Sequence, residues 1–266
     1  MTTRVFGMLL ALTVLISCES IGGTFFDTDV PDDQSGSADG RKKYSRGLAA
    51  VDKAPSLTRD GATASPTRQE KKIDATAGLD YLTQKEREVI DEINRVRADP
   101  AMYARTYLVP MRAFYHGNLL KFPGEIAIST HEGSQALEEC IRDLEQAKPL
   151  PPLSPQKGLL RAARDHAEDQ ARTGATGHTG SDGSSVSARL NRYGKWNASA
   201  GENIGYGPND AGRIVASLLI DDGVSSRGHR KNLLDSRFKF VGVGVGPHPV
   251  YETMCVMDFA GGYKSN

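Results

Sequence analysis

Six residues near the C-terminal end, Val241-Gly242-Val243-Gly244-Val245-Gly246, restrict the fold more than any others. Strict alternation at period two is a strand pattern. One face carries three β-branched side chains and the other carries none, so a second element can lie against this strand at backbone distance. The repeat is not a phosphate-cradling loop, because no helix follows it to supply an N-terminus. Pro247-His248-Pro249 turns the chain, and Tyr251 to Phe259 returns as a strand with Thr253, Cys255, Met257 and Phe259 on one face.

The helical patterns come earlier. Thr83-Gln84-Lys85-Glu86 reads as a capping box, and Val89, Ile90, Ile93 and Val96 then recur at helical spacing. Asp99-Pro100 ends or kinks that helix, and Ala101 to Leu108 continues as a short second one. Residues 109–132 lack a period and read as an extended loop. Ser134 to Lys148 predicts a helix burying Leu137, Cys140, Ile141 and Leu144. After the rigid run Pro149 to Leu153, Ser154 as N-cap and Pro155 as first helical residue open another, which Gly174 closes. His166 on that helix reads as a hydrogen-bonded core or boundary residue. Val186 to Tyr193 and Ala211 to Leu219 are further helices, with a strand starting between them at Asn203. Helices first and a hairpin last predict an α+β sandwich, helices covering a small antiparallel sheet.

The N-terminal segment reads as an address. Arg4 precedes an apolar run from Val5 to Ile16 that is too short to span a membrane. It ends in Leu15-Ile16-Ser17-Cys18, which resembles a bacterial lipobox, with Cys18 as the lipidated residue; the alternative is an ordinary secretory signal. Residues 1–18 are thus the expected leader. Residues 19–78, poor in large apolar side chains, are the expected disordered tether, and 79–266 the folded domain. The expected location is outside the cytoplasm, either secreted or tethered to the envelope membrane by lipid. Lys plus Arg and Asp plus Glu number 33 each, which gives no support for nucleic-acid binding. Besides Cys18, the chain holds Cys140 and Cys255, either paired or free and buried.

Chemistry concentrates in three glycine-flanked motifs: Gly177-His178-Thr179-Gly180, Gly201-Glu202-Asn203-Ile204-Gly205 and Gly228-His229-Arg230-Lys231-Asn232-Leu233-Leu234. Two imidazoles and a carboxylate meeting in a cleft are able to bind a divalent cation or hold a water, zinc being favoured by the imidazole donors over calcium or magnesium. In order and wording these motifs resemble the CAP superfamily, also called SCP/TAPS or cysteine-rich secretory. Glu92-Ile93-Asn94-Arg95-Val96-Arg97, Ala162 to Asp169 and the closing Val256 to Tyr263 extend the resemblance over nearly all of Thr83 to Tyr263.

The resemblance implies an α-β-α sandwich, export, and a cleft tetrad of two histidines and two acids. Carried over, these are His178, Glu202, His229 and Asp222, with Asp221 as the alternative second acid. His178, His229 and Glu202 are then the metal ligands. The implied function is binding: a divalent cation, a small apolar or sterol-like ligand, or a protein partner. The alternative is a metal-dependent hydrolase of the envelope with Glu202 as general base. Ser184, Ser185 and the Asp182-Gly183 step read as turns.

Overall fold

The computed structural model describes residues 12–13, 16–21, 75–76 and 78–266, the first two by backbone alone. Most of the expected leader and tether lies outside these residues. Where the expected leader ends, Ile16–Ile21 runs as a strand, β1, with Cys18 opposite Asn203 and Glu19 opposite Glu202.

The capping box forms as read. The Thr83 hydroxyl accepts from the Glu86 N–H at 3.3 Å and the Glu86 carboxylate from the Thr83 N–H at 2.7 Å. Helix α1 (Gln84–Ala98) follows, with Val89, Ile90, Ile93 and Val96 all buried. Asp99 then caps α2 (Pro100–Tyr103), whose turn widens over Ala104–Leu108 and tightens over Val109–Phe114. The expected loop at 109–132 instead contains Tyr115–His116, Leu119–Leu120 and Ile128–Ser129, three two-residue strands pairing with one another. Pairs that short leave no periodicity to read.

Helix α3 (Ser134–Gln146) buries the four predicted side chains. The proline-rich crossing after it is tied down by two buried side chains of α1. Asn94 exchanges hydrogen bonds with the Leu153 N–H and C=O at 2.7 and 3.1 Å. Arg97, 1% exposed, donates to the carbonyls of Pro151, Leu233 and Asp235 at 2.9 to 3.1 Å. That cluster of carbonyls makes burial of a guanidinium tolerable. Ser154–Pro155 is not a helix start: it forms β2, a short parallel strand beside Phe240 and Val241, and α4 (Lys157–Thr173) begins after it. Tertiary strand pairing overrides the Ser-Pro capping signal. Gly174 closes α4 in the left-handed conformation at φ 72°.

The remaining elements are α5 (Val186–Arg192), β3 (Gly194–Tyr206), α6 (Ala211–Ile220), α7 (Gly228–Leu233), β4 (Phe240–His248) and β5 (Glu252–Ser265). Strand β3 starts nine residues before the expected point, its first residues being partly exposed and without alternation. The sheet order is β1-β3-β5-β4-β2, antiparallel except for β2 against β4.

The Val-Gly repeat sets the layers. Val241 and Val243 enter the main core with residues of α1, α3 and α6. On the opposite face a Cβ on Gly244 would stand 2.7 Å from the Ala163 carbonyl carbon, and one on Gly242 would overlap the backbone at Leu159 and Leu160. Helix α4 therefore presses its own backbone onto the glycine face. The result is an α-β-α sandwich: α4 and α5 on one side, α1 and α6 on the other. No described helix is long and apolar enough to cross a membrane.

Candidate functional site

Both histidines stand at joints between a helix layer and β3. The loop carrying His178 is clamped on either side. Before it, the Gly177 carbonyl accepts from His166 Nε2 at 2.9 Å and Gln170 Nε2 at 2.5 Å, while its N–H donates to the Tyr206 hydroxyl at 3.0 Å. After it, the His178 carbonyl accepts from Arg189 Nη1 at 2.8 Å. Gly177 needs φ 90°, which suits glycine. His166 is buried and hydrogen-bonded, as its place among alanines predicts.

The ring so placed meets Glu202: His178 Nδ1 lies 2.7 Å from Oε1. Glu202 is wholly buried, and Arg189 Nη2 donates to both its oxygens at 2.9 and 2.8 Å. Burial alone would raise the Glu202 pKa, but the His178 hydrogen bond and the Arg189 charge outweigh it and hold the carboxyl well below its ordinary range. An ionised Glu202 accepts, so the His178 proton sits on Nδ1 and Nε2 carries the lone pair.

Asp258 faces Glu202 directly across the β3–β5 pair. It is fully buried, and no described donor outside the carboxyl pair reaches either oxygen. Burial, then the neighbouring Glu202 charge, push its pKa well up and keep it neutral.

The second histidine has a different acid. His229 Nδ1 lies 2.5 Å from Asp221 Oδ1, and Asp221 Oδ2 accepts from the His229 N–H at 2.9 Å and the Arg230 N–H at 3.3 Å. This corrects the expectation of Asp222. Asp221 is the C-cap of α6 in the left-handed conformation, φ 60°, which turns its side chain toward the first turn of α7. Asp222 points elsewhere, accepting from the His131 and Glu132 N–H groups at 2.7 and 2.8 Å. Asn203 completes the joint: its amide donates to the His229 carbonyl at 3.1 Å and its oxygen accepts from Asn232 at 2.8 Å.

The arrangement is therefore two imidazole–carboxylate pairs, not one carboxylate between two rings. Glu202 and Asn203 are successive on β3 and leave it on opposite faces, so the pairs are gripped from different sides of one strand. In both, Nδ1 is spent on a carboxylate while Nε2 is buried without a partner. An imidazole oriented by a carboxylate with its other nitrogen free is the usual form of a metal-binding histidine. Each ring, taken singly, thus has the orientation of a metal-binding histidine. Glu202 is held back from ligand duty, since Arg189 and His178 engage both its oxygens. Among the described residues no three His, Cys, Asp or Glu side chains converge closely enough to hold a metal.

Cys140 and Cys255 are both free and buried, and burial raises both thiol pKa values. A small apolar cavity of about 60 Å³ lies apart from the histidines, between α6 and the 109–130 segment, with Met111, Phe122, Ile128 and Ile220 in its wall. The sequence reading missed Arg189 and Asp258, and gave Asp221 as the alternative to Asp222. Both missed residues carried a signal. Arg189 shares the helical stripe of Val186 and Leu190, and Asp258 breaks the apolar alternation Met254, Val256, Ala260.

A family model described as the cysteine-rich secretory protein family, CAP, matches residues 90–259. No curated protein matches the chain. A solved structure of an extracellular protein containing a SCP domain, from Bacillus anthracis str. Ames, is 25% identical with a TM-score of 0.33. The match covers 56% of this chain and 42% of that one, so the chain spans under half of that structure's length.

Proposed function

Because this chain belongs to the cysteine-rich secretory protein (CAP) family, we propose that it is an exported binding module that holds a divalent cation, zinc foremost, through Nε2 of His178 and of His229. The observation that carries this reading is the matched state of the two rings, each with Nδ1 on a carboxylate and Nε2 buried and unpartnered. Glu202 and Asp221 act as orienting acids that fix the tautomer, and water completes the shell. Bound there, the cation supplies a localised positive charge for an anionic or carbonyl-bearing partner.

Export rests on the apolar leader, and Cys18 is the attachment point of the lipid that would hold the domain at an envelope membrane. The test of cation binding is metal content of the purified chain beside His178→Ala and His229→Ala. One zinc per wild-type chain, lost in each variant, is the expected result. A wild type that takes up no zinc, calcium or magnesium, or variants that keep the metal, would refute it. For the anchor, Cys18→Ser is expected to leave the membrane fraction.

A further inference from the structure

One edge of the main sheet is a strand borrowed from the far end of the chain. β1 runs antiparallel to β3 over six successive pairs, from Ile16 opposite Gly205 to Ile21 opposite Ala200. Take β1 away and β3 becomes the edge over that stretch. In an antiparallel ladder every second residue of β3 turns its N–H and C=O toward β1, so about six backbone hydrogen bonds close this edge. Residues 200–205 are all buried, and buried backbone groups without partners are rarely tolerated.

Edge strands are commonly guarded by Lys, Pro or a bulge. This stretch reads Ala200-Gly201-Glu202-Asn203-Ile204-Gly205, with no Lys or Pro. Its bulge falls just outside, between Asn197 and Ala200, with Ala198 in the left-handed region at φ 68°. At the other end β3 stops at Tyr206, and Gly207 turns away at φ 99°. The slot between them takes six residues, about 20 Å at the rise of a strand. Its two polar side chains are engaged elsewhere: Glu202 by Arg189 and His178, Asn203 by Asn232 and the His229 carbonyl. An incoming chain therefore meets backbone.

The present occupant is one that maturation shortens. A cut before Cys18, as the lipobox directs, removes Ile16 and Ser17 and strips the partners from Gly205 and Ile204. Acyl chains on Cys18 belong in the bilayer, which competes with the four pairs that remain.

We propose that the 200–205 edge is a polypeptide-binding site, taking an extended segment of a partner protein as an added antiparallel strand, and that Ile16–Ile21 fills it until export. The strand-acceptor role stands on the pairing alone; its opening rests on the export reading above. Main-chain hydrogen bonds supply the affinity. The partner segment is extended over six residues and has no Pro where it donates to β3.

The test uses the full chain with its leader kept, free of metal, so that cation binding plays no part. The probe is a capped hexapeptide with the sequence of residues 16–21, serine replacing the cysteine. Wild type, whose own strand competes, is expected to bind it weakly. Glu19→Pro/Ser20→Pro removes a donor from β1 whichever of the two neighbours faces β3. That variant is expected to bind the probe at least tenfold more tightly, with saturable NMR shifts of the 200–205 amides. Glu19→Ala/Ser20→Ala keeps the donors and is expected to match wild type. The exported, cut chain serves as a second open form, expected to bind at least threefold more tightly than the leader-bearing chain. Two further probes carry N-methyl groups on alternate amides, and one of them alone is expected to lose binding. No saturable shift in either open form, equal binding by open and leader-bearing forms, or equal behaviour of the two methylated probes would overturn the proposal. The N-terminus of the exported chain tests the opening separately. A start at Cys18 or beyond supports it, whereas an uncut leader overturns it together with the export reading and leaves the peptide result to stand by itself.

Discussion

The His178 and His229 pairs look alike at the ring and differ behind it. Glu202 is neutralised by a guanidinium, Arg189, on the far side of the strand layer. Asp221 has no such partner among the bonds it makes; it is held by two backbone N–H groups at the start of α7 and by the ring. One acid is balanced by a charge, the other by dipoles. A charge-balanced acid fails abruptly when its partner is removed, because the remaining ion is buried alone. A dipole-balanced acid fails by the smaller worth of its hydrogen bonds.

Arg189→Leu should therefore have the largest effect, destabilising by about 3–5 kcal/mol in urea unfolding, the cost of leaving one member of a buried pair unpaired. Adding Glu202→Gln to it should recover most of that loss, and a double variant as unstable as the single would show that Arg189 acts through packing instead. Asp221→Ala should cost about 2 kcal/mol, the sum of a lost cap and a charged hydrogen bond. Asp222→Ala should cost only about 1 kcal/mol and leave His229 untouched, which separates the two neighbouring aspartates.

The pH dependence separates the two members of the buried carboxyl pair. Glu202 has its folded pKa depressed from 4.5 to about 2, so its contribution is present above 4.5 and lost as pH falls toward 2. Asp258 is raised, so its contribution is present below the ordinary 3.8 and lost as pH rises through the folded value. Asp258→Asn should flatten the alkaline arm of a stability–pH curve while leaving the acid arm. An unchanged alkaline arm would mean that Asp258 is not the neutral member of the carboxyl pair.

Much of the scaffold was legible because it depends on local rules. The Thr83–Glu86 box, the α1 stripe and the Val-Gly alternation each declare an element and its buried side. The glycine face even announced the close approach of another element, which is α4. What stayed hidden depends on tertiary context. Ser154-Pro155 carries a good helix-start signal yet pairs with β4. Asp221 and Asp222 are equivalent in sequence, and only the left-handed turn at the end of α6 decides which one reaches His229. The histidines and Glu202 were singled out by their glycine-flanked motifs. That each ring has its own acid was not, since the pairing is set by how the 177–180 loop, β3, the end of α6 and the start of α7 come together.

The most direct test is a long-range ¹H–¹⁵N correlation of the histidine rings, recorded before and after one equivalent of zinc. Both His178 and His229 should begin as Nδ1–H tautomers, and both Nε2 resonances should move together as the metal is added. A Nε2–H tautomer at either ring, or a response from one ring alone, would contradict two matched, carboxylate-oriented imidazoles serving one ion.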